Sequence, residues 1–223
     1  MQTVTKIIMM LALSLIVSAF AMGQNNQFRI SINSLTTNFN YAKANNSLQS
    51  YKKNFSGLQA GVSYQAGISK SFSIVPELYF AMKGGILKTG NPITVSKSTL
   101  KLYSVEMPVL PRLHINNLYL NAGPYVSYHI GGRLKADPAN SVPAATTKLT
   151  FGNDAGDFRR WDAGLQAGGG YNFSMKRSIL TLDLRYGYGL VNVSRDVQRY
   201  SRMLNISVQV AKLKSRKAKK MQG

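Results

Sequence analysis

The chain has 223 residues, no cysteine and a formal net charge of +20. That length suits one domain able to enclose a core or close a barrel, and the lack of thiols excludes a disulfide scaffold and thiolate metal sites. In a soluble protein such a charge would suggest a nucleic-acid partner.

The N-terminus points elsewhere. Lys6 supplies a positive start, Ile7 to Ala19 form an apolar run, and Ala19-Phe20-Ala21 and Ala21-Met22-Gly23 offer small residues for a signal peptidase. The run is too short to span a bilayer as a helix, so residues 1–23 read as a cleaved secretory signal. Export removes nucleic acid as a partner. It leaves outer-membrane lipid, lipopolysaccharide phosphates or an acidic envelope protein, unless the basic residues merely solvate loops.

From there the pattern has period two. Phe28, Ile30 and Ile32 alternate with Arg29, Ser31 and Asn33, and a polar stretch follows from about Thr36 to Ser56. Leu58, Ala60, Val62, Tyr64, Ala66 and Ile68 then oppose Gln59, Gly61, Ser63, Gln65, Gly67 and Ser69. Helical spacing cannot produce that split, but a strand can. After the turn Lys70-Ser71 the alternation returns over 72–83. It returns again over 103–109, 118–130, 161–173, 180–190 and 204–210, which makes eight strands. Connections alternate as well. His114 to Asn117 and Ser174 to Lys176 are tight, whereas Thr89 to Lys97 and Lys135 to Arg159 are long. Tight turns at one end and long loops at the other characterise an up-and-down antiparallel transmembrane barrel with its long loops outside the cell. The predicted fold is therefore all-β and eight-stranded, with the barrel over 24–214 and a basic tail, expected to be unstructured, over 215–223.

An apolar face could meet lipid from outside or fill a lipocalin-like interior. Side-chain size separates the two. The polar face carries Gly61, Gly67, Gly123, Gly164, Gly168, Gly170, Gly187 and Gly189 among Tyr79, Tyr119, Tyr125, Gln59 and Gln166. A narrow eight-strand interior needs such compensating sizes, while glycines on a solvated face would only weaken strands. On the apolar face Phe72, Tyr171 and Phe173 fall near one rim, and Tyr103, Tyr128, Trp161 and Tyr188 near the other. Rings placed so are expected at lipid headgroups. Pro76 and Pro124 share that face and predict bulges or missing ladder bonds, and Gly169 predicts a bulge or bend.

On the lumen face, Glu77, Glu106, Asp162 and Asp183 share the interior with Lys83, Arg29 and Arg185. Carboxylates there must be paired or hydrogen-bonded, which predicts a polar network in place of an apolar core, with Arg185 on Glu77 or Glu106. Catalytic parts are sparse. Ser127 and His129 share a face and suggest a serine hydrolase of the lipid-modifying kind, but no orienting third group is identifiable. His114 is expected to be solvated at its turn. No cofactor or metal site emerges, and Gly168-Gly169-Gly170 precedes no helix, as a phosphate loop would.

These segments resemble the PorT-type outer-membrane β-barrel family of the Bacteroidota. The resemblance rests on Leu58-Gln59-Ala60-Gly61-Val62, Val75-Pro76-Glu77-Leu78-Tyr79-Phe80, Asn121-Ala122-Gly123-Pro124-Tyr125-Val126-Ser127 and Leu184-Arg185-Tyr186-Gly187-Tyr188-Gly189-Leu190. It also rests on Tyr103-Ser104-Val105-Glu106-Met107-Pro108-Val109-Leu110, which is similar to the family's Tyr-x-Glu-Ile-Pro-Leu-Leu segment. The resemblance implies an eight-stranded barrel in the outer membrane. The family's namesake takes part in type IX secretion and gliding, which opens the alternative of a subunit of an envelope secretion complex. One departure is the basic tail, where outer-membrane barrels often end on an aromatic residue. The expected function is non-enzymatic, with a plugged polar lumen and loops contacting lipopolysaccharide or a partner protein.

Overall fold

The structure, a computed structural model, describes residues 26–139 and 143–212. The expected signal segment 1–23 and basic tail 215–223 lie outside the described residues. Eight long strands are β1 (Gln27–Tyr41), β2 (Phe55–Gly67), β3 (Phe72–Leu87), β4 (Ser98–Ile115), β5 (Leu118–Ala136), β6 (Trp161–Ser174), β7 (Ser178–Asn192) and β8 (Arg199–Lys212). Each pairs antiparallel with the next, and β1 also pairs with β8, so the sheet closes on itself. The result is an eight-stranded up-and-down barrel without edges. At one end the connections are short, and β4 turns into β5 through Asn116 and Asn117, with Asn116 at φ 55°. At the other end a 3-10 segment (Lys43–Tyr51) and a four-residue strand (Ala145–Lys148) occupy longer loops.

Period two in the sequence becomes inside and outside in space. Phe28, Ile32, Leu58, Leu120, Leu165, Leu184 and Ile206 lie on the outer wall and are exposed, whereas Arg29, Asn33, Gln59, Asn121, Gln166, Arg185 and Asn205 point inward and are buried. A polar interior with an apolar exterior is the arrangement for lipid, and it removes the lipocalin-like alternative. The aromatic rims are present as ring pairs, Tyr171 with Phe173 at 4.7 Å and Tyr128 with Trp161 at 4.9 Å.

The lumen is built by size compensation across strands. Tyr79, Tyr119 and Tyr125 sit directly opposite Gly61, Gly170 and Gly164. A Cβ at those glycines would come within 2.6 Å of Tyr79 Cδ1, 2.4 Å of Tyr119 Oη and 2.7 Å of Tyr125 Cε1. Each ring thus lies over a bare backbone, the pairing that lets an aromatic residue offset a strand glycine.

Several local expectations change. Strand β4 runs to Ile115 rather than ending near Val109, and so carries Arg112, fully buried, into the lumen. His114 belongs to that strand and shares a 2.8 Å hydrogen bond with Ser73 Oγ, so it is half-buried rather than solvated at a turn. Around Pro76, pairing with β2 lapses between Ser63–Glu77 and Ala66–Ile74 and resumes in the same register. Around Pro111 and Pro124 it lapses between Pro108–Tyr125 and Arg112–Asn121. The prolines therefore cost ladder bonds without adding a bulge, because the missing N–H removes a donor and not a residue. Gly169 also keeps register, opposite both Leu120 and Leu184. Register shifts lie instead at Ile130, where Tyr103 faces Gly131 and Ser104 faces His129, and between β7 and β8, where Tyr200 faces Asn192 and Arg202 faces Tyr188.

At the loop end the interior changes character. Phe39, Tyr41, Leu87, Leu100 and Leu102 from strand ends pack with Leu48, Leu149, Phe158, Val193 and Val197 from the loops, all buried. This apolar cluster was not expected from the sequence. The strands forming it extend past the roughly 9–11 residues that cross a bilayer, with β4 and β5 reaching 18 and 19 residues.

Candidate functional site: the charged lumen

The interior charges fall into two groups stacked along the barrel. In the group nearer the loops, Glu106 on β4 is the hub. One of its oxygens accepts Lys83 Nζ at 2.7 Å, and the other accepts Gln166 Nε2 at 2.8 Å and Gln59 Nε2 at 3.4 Å. Lys83 also lies 3.8 Å from Asp162 and donates to Ser127 Oγ at 3.2 Å. Asp162 accepts Ser201 Oγ at 3.0 Å and Tyr125 Oη at 3.4 Å. Gln59 Oε1 in turn accepts Asn33 Nδ2 at 2.7 Å and Asn205 Nδ2 at 2.9 Å.

The group nearer the tight turns centres on Arg185. Its guanidinium meets Glu77 through two bonds, Nη1 to Oε2 at 2.5 Å and Nη2 to Oε1 at 3.0 Å. Planar two-point pairing of this kind is the strong geometry for arginine and carboxylate. Arg185 Nε also lies 2.6 Å from Asp183, which accepts Tyr119 Oη at 2.5 Å. Arg29 donates to Thr181 at 3.1 Å, Gln65 at 2.9 Å and Gln27 at 3.0 Å. Arg112 stacks on the Tyr119 ring, 3.9 Å from its centroid, and its Nη1 reaches Gln65 at 3.4 Å.

Every one of these charged groups is buried. Removing an ion from water costs several kcal/mol, and an unpaired one does not persist. The census meets that demand. Glu77, Glu106, Asp162 and Asp183 give four negative charges, and Arg29, Lys83, Arg112 and Arg185 give four positive ones, so the lumen sums to zero. The chain's positive excess lies elsewhere. At the loop end, Lys97 and Lys135 converge on Asp137 at 2.9 and 3.2 Å, and their hydrogen bonds hold its carboxyl below the usual aspartate range.

Sequence reasoning placed seven of the eight charges on this face and missed Arg112. The signal was there: Arg112 continues the row Ser104, Glu106, Pro108 at spacing two. The alternation as read stopped at Val109, three residues short of it.

Ser127 and His129 are both fully buried in the lumen, with different partners. Ser127 accepts Lys83, while His129 Nδ1 is hydrogen-bonded to Ser104 Oγ at 2.8 Å across the strand pair. Among the described residues no hydrogen bond joins Ser127 to His129, so the geometry does not couple the serine and histidine that the sequence offered, and the serine that His129 meets is Ser104. Nor do three His, Cys, Asp or Glu side chains gather as metal ligands among those residues.

A family model described as the outer membrane protein beta-barrel domain matches residues 22–195. No curated protein matches the chain. Among solved structures, the chain is similar to Ail, the attachment invasion locus protein of Yersinia pestis, at 12% identity, covering 86% of this chain and 99% of that one with a TM-score of 0.38. It is similar to Neisserial surface protein A at 12% identity, 85% and 99% coverage and a TM-score of 0.43. OprG of Pseudomonas aeruginosa gives 9% identity, 84% and 93% coverage and a TM-score of 0.40. With the family model spanning most of its length, the chain belongs to the outer membrane protein β-barrel domain family.

Proposed function

We propose that this protein is a non-enzymatic outer-membrane barrel whose lumen is plugged by its own side chains and whose work is done by its loops, in contact with lipopolysaccharide or a partner protein. The observation that carries the reading is the Arg185–Glu77 pair, which joins β7 to β3 across the bore at its middle. Lys83 adds a second bridge from β3 to Asp162 on β6. An eight-strand bore is only wide enough for side chains to fill, and here they are tied together. The loop end carries further apolar packing around Leu102 and Phe158. Within this proposal the segment Tyr103–Leu110 supports a PorT-type branch, and residues 1–23 support export through a cleaved signal.

Reconstitution into planar bilayers tests the plug. The parent protein is expected to give no steady ohmic conductance, and a stable open channel would overturn the reading. Lipid A profiles from cells with and without the protein test the absence of enzymatic action, with identical profiles expected.

A further inference from the structure

At the loop end, beside the apolar cluster, an open cleft of about 440 Å³ lies between β5, β6, the loop joining them and the end of β7 with its connection to β8. That volume falls within the range of roughly 300–1,000 Å³ usual for small-molecule sites. Its lower wall is Tyr128 and Trp161, outward-facing members of the upper aromatic rim, with Trp161 61% exposed. Rings of this kind mark the depth of the headgroups, so the cleft opens where the outer leaflet meets water. Its upper wall holds Arg159, Arg160 and Arg195.

Those arginines are fixed without being neutralised. Arg160 lies over Phe151 at 4.9 Å and Tyr128 at 5.7 Å, and its Nη1 donates to the His129 carbonyl at 3.3 Å. Arg195 Nη2 donates to Asn153 Oδ1 at 2.6 Å. Arg159 is held through its backbone N–H to the Val193 carbonyl at 2.9 Å, while its buried Nε meets no hydrogen-bond partner. Of the acids nearby, Asp157 Oδ2 accepts the Asp154 N–H at 3.1 Å and Asp196 lies 3.9 Å from Arg199. Among the described residues no carboxylate lines the cleft. Three arginines line one space, and their like charges repel each other unless an anion lies among them. Arginine is the residue suited to bind phosphate through paired N–H donors.

We propose that this cleft binds a phosphorylated sugar headgroup of an outer-leaflet glycolipid, with Arg159, Arg160 and Arg195 on the phosphate and Trp161 against the sugar. The proposal rests on the loop-contact reading above and assigns it a site. Aromatic faces complement a sugar ring, and the site's depth places that ring where a membrane glycolipid carries it.

The test uses the full-length protein in detergent micelles, titrated by calorimetry with phosphorylated lipid A, dephosphorylated lipid A and inorganic phosphate. The parent is expected to bind phosphorylated lipid A at least tenfold more tightly than either other probe. R160A/R195A is expected to lose at least tenfold in affinity, whereas K52A/K53A, an equal loss of charge elsewhere on the loop end, keeps it. Both double variants are checked for heat-modifiable gel migration, which reports a closed barrel. Unchanged binding by R160A/R195A would overturn the site while leaving the contact reading standing. Equal loss in K52A/K53A, or inorganic phosphate binding as tightly as lipid A, would overturn it too, by reducing it to unspecific charge or simple anion capture. A parent that binds no lipid A would instead sink the lipopolysaccharide reading itself.

Discussion

Arg185 shows how a single residue is held in an interior that has almost no water to offer it. Its partners are Glu77 and Asp183, and removing the guanidinium would leave both carboxylates without their nearest cation. Breaking a buried pair from one side costs about 3–5 kcal/mol, against less than about 1 kcal/mol for an exposed one. Arg185→Met is therefore expected to lower unfolding stability by about 3–5 kcal/mol in urea titrations followed by gel shift. Lys135→Met, on the exposed Asp137 pair, is expected to change it by less than about 1 kcal/mol. Equal effects from the two variants would mean that the interior network contributes no more than a surface bridge.

Within a strand, the decisive feature is how closely neighbouring backbones and rings approach. A Cβ at Gly164 would lie 2.2 Å from the Tyr188 carbonyl oxygen and 2.7 Å from the Tyr125 ring. Gly164→Val is expected to destabilise the barrel by about 1–3 kcal/mol through overpacking, while Gly156→Ala, in a loop with open space around it, is expected to be neutral in the same urea titration. Strand phase was legible from residues such as Leu58 to Ser69 because one wall meets lipid and the other is crowded, which enforces alternation at every step. Strand ends were less legible. The alternation as read stopped at Val109, yet β4 continues past Pro111 because a proline whose lost N–H leaves only a local gap does not end a strand. The partner of Arg185 was undetermined between Glu77 and Glu106, since pairing along the chain fixes neighbours on adjacent strands but not contacts across the bore.

At the scale of the molecule, two interiors share one barrel: a polar one at membrane depth and an apolar one among the loops. The second was hidden in the sequence because Leu48, Leu149, Phe158, Val193 and Val197 are isolated apolar residues that gain meaning only when the loops converge. Phe158→Ala is expected to loosen the loop end and expose the chain to trypsin at Arg159 and Arg160, with heat-modifiable migration retained. Loss of the folded barrel band would show instead that the cluster holds the whole barrel. The pairing of Glu77 with Arg185 also bears on assembly. The two residues are 108 positions apart and lie on strands four places apart in the ring of eight, so no hairpin contains both. A partly assembled sheet would leave Glu77 with only Arg112 of the neighbouring strand, 4.0 Å away, until β7 brings Arg185 to it. The two-point partner of Glu77 thus arrives only with the seventh strand of eight. Full pairing of the lumen is therefore completed only as the ring of strands nears closure.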